Sequence, residues 1–596
     1  MVVWNKVVWR YSEIGYGLVF PVLTWTGGET FRGKIKNHAF WLIKTDSLSL
    51  REYGCIDTSP LPLGNRSSGV MSRLAKSSYI GDDCRKHSIM GSVFPFRLQF
   101  SIKSLFVILI EVSLAVISHS KKPHIVFILA DDLGFNDIGY HNSKIKTEVL
   151  DELAHEGVRL ENYYVQPICT PTRAQLLTGR YDIHTGLQHG IIWPSQANAL
   201  PKNETTIAAK LKESGYKTHI VGKWHVGFYR KEFIPTRRGF DSFYGFLTGG
   251  QDYYTHVNRL GFHKPGYKFL NGYDFWRDEE VLRDVVGEYT TILFAKEAVR
   301  IIKEHDPKKP LFLFLSFQAP HMPLQVPKRF LERYNHIKDH NRRIYAAMVS
   351  CMDEAIGNVT RTLKERGLWE DTVMIFSSDN GGQVKAGGNN WPLRGWKASL
   401  WEGGIRTVGF VHSQLIQKPQ RIYRGLMHVS DWFPTLAHLA QAPVEGLPLD
   451  GNNQWMSISE GTPSLRKEVL HNIDSFDVFW GTPDGYSHCS QAALRRGDWK
   501  LLLGCPGNGD WVPPAEMSIP TQPSSDRHSE KSVFLFNITN DPEERKEISE
   551  RHPDVVRDLL ARIQMYNATA VPARFPDPDP NSNPSKHGGV WKPWVN

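Results

Sequence analysis

The chain contains few cysteines for its length. Only six occur among 596 residues, and none has CxxC spacing. This scarcity argues against a disulfide scaffold and against a zinc site made of cysteines. With 41% hydrophobic and 22% charged residues, the chain also falls outside the disordered and fibrous classes, and it can bury a large core in two or more domains.

Most of the chain also lacks an excess of charge. Residues 1–122 hold 16 Lys+Arg against 8 Asp+Glu, whereas the remaining residues hold 55 against 54. The formal net charge of +9 therefore belongs mostly to the N-terminal leader. A nucleic-acid-binding domain usually carries a basic face, so the balanced body predicts no nucleic-acid partner.

The hydrophobic run in the leader is too short for a membrane span. The run LFVILIEVSLAVIS at 105–118 is interrupted by Glu111, and a bilayer requires ~20 apolar residues. It matches the hydrophobic region of a signal peptide, with Met90 and basic residues upstream. We predict that Met90 begins the working precursor and that cleavage occurs near residues 118–122. The alternative is that residues 1–122 form a domain whose apolar run is a core helix.

Five Asn-x-Ser/Thr sequons agree with a secretory route to the lysosome or the cell exterior. One lies in the leader at Asn65, and four candidate N-glycosylation sites lie in the body, at Asn203, Asn358, Asn537 and Asn567. An oxidising compartment would allow Cys489 and Cys505 to pair as a disulfide. Cys351 lies in a predicted helix and is expected to be a buried small hydrophobe.

Apolar runs and helical segments alternate from residue 124 onward. Strand-like runs at 124–130, 218–222, 311–317 and 372–378 are separated by helical segments at 148–156, 205–214, 290–305 and 343–366. This alternation predicts a doubly wound α/β domain over residues 123–445, with helices on both faces of a parallel or mixed sheet. Residues 446–596 predict a smaller α+β domain, with short strands around 492–504 and 532–538 and a helix at 553–566.

Polar residues follow two of these runs in adjacent pairs. Asp131 and Asp132 come after the first run, and Asp379 and Asn380 come after the last. Ligands in open α/β sheets bind outside the carboxyl ends of the strands. Three carboxylates and an amide oxygen gathered there would need a cation, and all-oxygen ligation suits Ca²⁺ or Mg²⁺. Taken singly, the first pair could cap a strand and DNGG at 379–382 could form a turn.

The most specific segment is CTPTRAQLLTGR at 169–180. Cys169 precedes a predicted helix start at Pro171, where the helix N-terminus and Arg173 would stabilise an anion. The simpler interpretation is a buried cysteine at a helix cap. Lys223 and His225 follow the second strand and His321 follows the third, although single residues of these types are usually solvated or structural.

These motifs resemble the sulfatase family. CTPTRAQLLTGR matches the signature C-x-P-x-R followed by L-T-G-R, and the likeness extends to DDLGFND, GKWHVG, SDNGG, GGNNWPLRGWK and LWEGG, in that order along the chain. It covers about residues 123–596 and is strongest to the arylsulfatase B, I and J group. The resemblance implies an alkaline-phosphatase-like fold and a hydrolase of sulfate esters.

The resemblance also implies a set of site residues. Cys169 would be converted to formylglycine by the formylglycine-generating enzyme, which reads Cys169, Pro171 and Arg173. One Ca²⁺ ion would be held by Asp131, Asp132, Cys169, Asp379 and Asn380. The implied catalytic residues are Cys169, Arg173, Lys223, His225, His321 and Lys397.

The expected substrate is an N-acetylgalactosamine 4-sulfate group of dermatan or chondroitin sulfate. Relatives usually have Arg before the catalytic lysine, whereas this chain has Trp396 before Lys397, which should weaken a contact to a uronate carboxylate. Trp391, Trp396 and Trp401 could line a sugar cleft or pack in the core. The alternatives are a phosphodiesterase or phosphonate hydrolase of the same fold, and an inactive glycan-binding homologue.

Overall fold

The computed structural model describes residues 121–260, 270–474, 490–524 and 531–596, together with the backbone of three short N-terminal strands. Those strands form an antiparallel sheet within a unit spanning Met1–Phe100: β1 (Val3–Trp4), β2 (Val7–Ile14) and β3 (Leu18–Leu23). A second compact unit spans Ser101–Asn596. The apolar run at 105–118, Met90, Asn65 and Cys489 lie outside the described residues, so the predictions made for them remain predictions.

The second unit is built on a ten-stranded mixed sheet. In spatial order, its strands are β12 (Glu280–Val281), β11 (Trp276–Arg277), β8 (Ser242–Phe246), β7 (Lys217–Lys223), β13 (Leu311–Pro320), β4 (His124–Asp131), β14 (Thr372–Ser378), β15 (Gly409–His412), β5 (Val158–Leu160) and β16 (Arg421–Tyr423). The central strands β8, β7, β13, β4 and β14 are parallel, and antiparallel pairs flank them. The predicted mixed sheet is confirmed.

The central strands are apolar because both faces of the sheet are covered. Every residue of β4 and β13 is buried, as expected for parallel strands between two helical layers. Short pairs outside this sheet are β6 (Tyr163–Tyr164) with β17 (Met427–His428) and β9 (Val257–Leu260) with β10 (Leu270–Tyr273).

Eleven α-helices of the described residues accompany the sheets. They are α1 (Glu148–Glu156), α2 (Cys169–Thr178), α3 (Asp182–Thr185), α4 (Ile207–Glu213), α5 (Thr290–Glu304), α6 (Lys328–Leu331), α7 (His340–Glu365), α8 (Glu402–Ile405), α9 (Trp432–Leu439), α10 (Trp455–Glu460) and α11 (Pro553–Asn567). Helix α7 starts before its predicted start because the Asp339 side chain accepts a hydrogen bond from the Arg342 N–H, an N-cap that the apolar periodicity does not reveal. In the described part of the chain, no helix combines the length and apolar character needed to cross a bilayer.

A smaller four-stranded antiparallel sheet lies toward the C-terminus. Its order is β18 (Glu468–Asp474), β19 (Gln491–Arg496), β20 (Trp499–Gly504) and β21 (Val533–Asn537). The predicted strand region 492–504 is a hairpin that turns at Gly497, whose φ is 56°. Helix α11 packs on this sheet through Leu559 and Ile563.

Candidate active site

The candidate active site lies at the carboxyl edge of four central strands. Asp131 and Lys223 end β4 and β7, His321 follows β13, and Asp379 follows β14. These strands are neighbours in the order β7, β13, β4, β14. Their ends therefore meet, and the structure brings these four predicted residues together.

Cys169 reaches this edge as the first residue of α2. The helix begins before the predicted start at Pro171, and all its residues are buried. Gly179, with φ of 69°, ends the helix in a left-handed conformation that glycine adopts without steric cost. The Cys169 Sγ donates a hydrogen bond to Asp131 Oδ1 over 3.5 Å, so the cysteine lies against the first acidic pair.

Three buried carboxylates each face a cation, which is buried at Lys223 and Arg173 and half-buried at Lys397. The pairs are Lys223–Asp131 at 2.6 Å, Lys397–Asp132 at 2.8 Å and Arg173–Asp379 at 2.7 Å. Buried charges are tolerated only when they are paired. Removing one partner would leave the other uncompensated, so this arrangement holds the charged groups in fixed positions before any substrate arrives.

The two acidic loops are also joined directly. Asn380 Nδ2 donates to Asp132 Oδ1 over 2.7 Å, and the Asp132 N–H donates to Asp379 Oδ1 over 3.2 Å. Asp132 has φ of 65°, a left-handed conformation that is uncommon for residues other than glycine. Such backbone costs of order 1–3 kcal/mol and is concentrated at functional sites.

The donor groups fit a divalent cation. Ligand atoms of Asp131, Asp132, Cys169 and His321 all lie within 4.8 Å of one another. Asn380 Oδ1 is buried and has no hydrogen-bond partner among the described residues. Carboxylate and amide oxygens are the ligands that Ca²⁺ and Mg²⁺ prefer, so the residues present fit the predicted ion. His321 belongs to this group although it was not among the predicted metal ligands.

His225 sits in a strained and solvent-free position. Its φ is 57°, and neither ring nitrogen has a partner among the described residues. A Cβ added at Gly249 would lie 2.7 Å from His225 Cε1. The ring is therefore confined by packing, and its nitrogens remain available for a reacting group.

His321 is oriented through its backbone neighbours. Its Nδ1 lies 2.6 Å from the Met322 carbonyl oxygen, and its Nε2 lies 3.8 Å from Asp132 Oδ2. A ring nitrogen that faces a carbonyl oxygen must carry the proton. Nε2 is therefore the nitrogen that points toward the acidic cluster.

Burial controls the protonation of the cysteine and of the buried histidine. It raises the pKa of the Cys169 thiol to about 12, so the thiol stays protonated at neutral pH. Lys223 and Lys397 favour the thiolate, but burial outweighs their effect on the pKa. Burial, followed by Lys223 and Arg173, also holds the pKa of His225 well below its usual value, which leaves a neutral imidazole.

At Asp132, neighbouring charges and burial shift the pKa in opposite directions. Burial alone would raise its pKa, but Lys397 and then His321 outweigh that effect and lower the pKa to about 2. Burial and then Lys397 lower the pKa of His321 to about 3. At neutral pH the site thus holds a charged carboxylate and lysine beside a neutral histidine.

Sequence reasoning missed two residues of this site. Arg173 Nη1 donates to Ser316 Oγ over 2.7 Å, which fixes the guanidinium from the β13 side. Ser316 could have been noticed in the sequence because it is the single hydroxyl residue within the apolar run LFLFLSF. Gly249 gives space to the His225 ring, and only the TGG sequence at 248–250 pointed to it.

The three tryptophans near Lys397 divide between core and surface. Trp401 is buried, with the Arg394 guanidinium 3.5 Å from its ring centre, and it packs on Phe534. Trp391 and Trp396 are half-buried. Core packing therefore accounts for Trp401, whereas Trp391 and Trp396 each keep part of the side chain accessible to a ligand.

The predicted modification sites have different surroundings. Asn203 and Asn567 are exposed, whereas Asn358 in α7 and Asn537 at the end of β21 are half-buried. Cys505 is disulfide-bonded. Cys351 is a free buried cysteine, as expected.

Comparisons with known proteins agree with this geometry. The Sulfatase family profile matches residues 123–442. Arylsulfatase J of Mus musculus is 51% identical over 488 residues, covering 80% of this chain and 81% of the relative. N-acetylgalactosamine-6-sulfatase of Rattus norvegicus is 27% identical, covering 76% of this chain and 87% of the relative.

A solved structure extends the likeness to three dimensions. The crystal structure of Ps i-CgsB in complex with k-i-k-neocarrahexaose shares 28% identity, with a TM-score of 0.64 and coverage of 76% of this chain and 95% of that chain. These matches confirm the alkaline-phosphatase-like fold and the predicted resemblance to the arylsulfatases. This chain belongs to the sulfatase family.

Proposed function

We propose that this chain hydrolyses N-acetylgalactosamine 4-sulfate groups of dermatan and chondroitin sulfate, with a formylglycine derived from Cys169 and one Ca²⁺ ion. Its family makes it a hydrolase of sulfate esters, and the proposal adds the substrate and the chemistry. The observation that carries it is the placement of Cys169, whose Sγ lies 3.5 Å from Asp131 within the paired cations and carboxylates.

The unmodified thiol is poorly suited to this reaction. With a pKa of about 12 it is protonated, and a sulfated thiol or hydroxyl would need a second attack at sulfur to be released. An aldehyde hydrate at this position supplies two hydroxyls, one for attack on sulfur and one for release of sulfate by C–O cleavage. The formylglycine-generating enzyme is therefore the expected partner during maturation.

The two acidic loops would bind the metal ion. Asp131, Asp132, Asp379 and Asn380, with the group formed from Cys169, would hold a Ca²⁺ ion that neutralises charge on the sulfate. The three carboxylates are already paired with Lys223, Lys397 and Arg173 in the structure, so a bound Ca²⁺ would make the site net positive and suited to an anionic sulfate ester.

The remaining side chains would act either when the nucleophile attacks sulfur and the alcohol leaves or when sulfate is released. Arg173 and Lys223 would hold the nucleophilic group in place. His225, neutral and without a ring partner, would accept the proton when sulfate is released. His321 and Lys397 would contact the sulfate, and Lys397, whose pKa is raised well above its usual value by Asp132 despite burial, would protonate the leaving alcohol. The neutral His321 ring, with its proton on Nδ1, does not fit a proton donor. Positioned donors of this kind are worth roughly 3–4 kcal/mol each in the transition state.

The 4-sulfate assignment rests on the resemblance of the motifs, while a relative named N-acetylgalactosamine-6-sulfatase supports the sugar but carries the other sulfate position in its name. We expect purified, aldehyde-bearing protein to release sulfate from 4-sulfated N-acetylgalactosamine oligomers at least about tenfold faster than from 6-sulfated ones, a factor equivalent to ~1.4 kcal/mol. Unsulfated oligomers measure the background. Faster release from 6-sulfated oligomers would contradict the 4-sulfate assignment, whereas hydrolysis of phosphodiesters alone would contradict the reaction class.

Gly249→Ala should impair His225 without unfolding the protein. The new methyl group would lie 2.7 Å from His225 Cε1 and 2.8 Å from Nε2, so the ring must move. Because displacement by about 1 Å can cost 10²-fold, we expect kcat for an aryl sulfate to fall between about tenfold and a hundredfold. Thermal unfolding monitors the fold. A fully active variant would show that the ring position is unimportant.

We also propose that the protein enters the secretory pathway and acts in the lysosome or outside the cell. The disulfide at Cys505 supports an oxidising compartment. The exposed sequons at Asn203 and Asn567 are accessible to glycosylation.

A further inference from the structure

We infer that Thr170 is a positioning residue that holds His225 in its catalytic orientation. This inference rests on the proposed function, in which the neutral His225 imidazole accepts a proton during sulfate release. Thr170 follows Cys169 directly in α2, so it links the nucleophile position to the base position.

The Thr170 hydroxyl makes hydrogen bonds to two buried main-chain groups. Its Oγ1 donates to the His225 carbonyl oxygen over 3.0 Å and accepts from the Ile192 N–H over 3.1 Å. The residue is 1% exposed, so water cannot replace either bond. One hydroxyl group therefore links helix α2 to the backbone of His225 and to the loop that contains Ile192.

His225 is oriented by its backbone together with the packing at Gly249. Its ring nitrogens have no partners among the described residues, so no side-chain hydrogen bond fixes the imidazole. The His225 N–H donates to the Leu247 carbonyl oxygen over 3.2 Å, and Thr170 holds the carbonyl group on the other side. These two bonds flank a φ of 57°, which is costly for histidine and persists only when the surroundings impose it.

The loop that contains Ile192 is itself held in place. Main-chain N–H groups of the C-terminal tail hold both ends of this loop: Val571 donates to the Ile183 carbonyl oxygen in the preceding helix α3 at 2.8 Å, Arg574 to Gly186 at 2.8 Å and Asp579 to Ser195 at 2.7 Å. The Ile192 N–H thus reaches Thr170 from an anchored loop. The threonine hydroxyl is held on one side and transmits that restraint to His225 on the other.

The test is Thr170→Val, which keeps the shape of the side chain and removes the hydroxyl. We expect kcat for an aryl sulfate to fall by about tenfold or more, with KM nearly unchanged, when rates are expressed per mole of aldehyde at residue 169. Release of the alcohol should precede release of sulfate in a burst, because only the second half of the reaction uses His225. Thr170→Ser, which keeps the hydroxyl, should restore most of the activity.

Thr178→Val is the matched control. Thr178 lies in the same helix, is buried, and its hydroxyl donates to the Ala174 carbonyl oxygen over 2.7 Å, away from His225. It should lose stability without a burst. Equal kinetics for the two valine variants, or no rescue by serine, would overturn the inference.

Two further measurements separate this inference from the proposed function. A crystal structure of Thr170→Val should show His225 displaced from its left-handed backbone conformation; an unmoved His225 would overturn the inference even if activity falls. His225→Ala should show the same burst as Thr170→Val. If His225→Ala releases sulfate at the wild-type rate, the proposed base role fails, and this inference fails with it.

Discussion

Replacing Cys169 with alanine is expected to lower kcat for an aryl sulfate by about 10⁶-fold, the order of loss seen when a catalytic nucleophile is removed. The protein should remain folded, because the Sγ makes one long hydrogen bond, 3.5 Å to Asp131, and no charged pair depends on it. In the wild type, mass spectrometry of the peptide containing residue 169 should show the decrease in mass that accompanies conversion of thiol to aldehyde.

Cys351→Ala is the matched control for this experiment. Cys351 is the other free buried cysteine of the described residues, and it lies in α7, away from the site. The variant should keep its activity, and its residue 169 should still be converted. Full activity of a wild-type preparation that carries only thiol at residue 169 would refute the formylglycine mechanism.

Asp132→Asn is expected to remove both activity and the stabilising effect of calcium. The substitution keeps the side-chain shape but removes a proposed ligand charge and leaves the half-buried Lys397 without its charged partner at 2.8 Å. We expect kcat to fall by at least about 10³-fold. In the wild type, free Ca²⁺ at 100 times its Kd should raise the free energy of unfolding by about 2.7 kcal/mol, and the variant should lose this gain.

Asp353→Asn provides a buried carboxylate outside the site for comparison. Asp353 accepts hydrogen bonds from the N–H groups of Val149 and Leu150 at the start of α1. This variant should be less stable than the wild type but should still be stabilised by Ca²⁺ and should still hydrolyse sulfate esters. If Ca²⁺ stabilises Asp132→Asn as much as the wild type, Asp132 is not a metal ligand. If Ca²⁺ does not stabilise the wild type at all, the proposed Ca²⁺ site is wrong.

Local sequence was sufficient for the architecture and for most of the site. The apolar runs that became β4, β13 and β14 are recognisable because parallel strands between two helical layers need apolar residues at every position. Parallel strands also end at one edge, so Asp131, His321 and Asp379 could be placed together without knowledge of the chain path. Cys169 could be singled out because its motif is contiguous.

Tertiary structure alone decided how these groups are paired, protonated and held. Asp132 pairs with Lys397, and Arg173 bonds Ser316, although the members of each pair are far apart in sequence. Hydrophobic periodicity does not indicate which charged residues will be paired. The protonated state of Cys169 depends on the solvent that the whole fold excludes, because desolvation acts over the entire surroundings of a group. The strained backbone of His225 likewise persists because Thr170 and a separate loop restrain it, and such restraint exists only after the distant segments have packed.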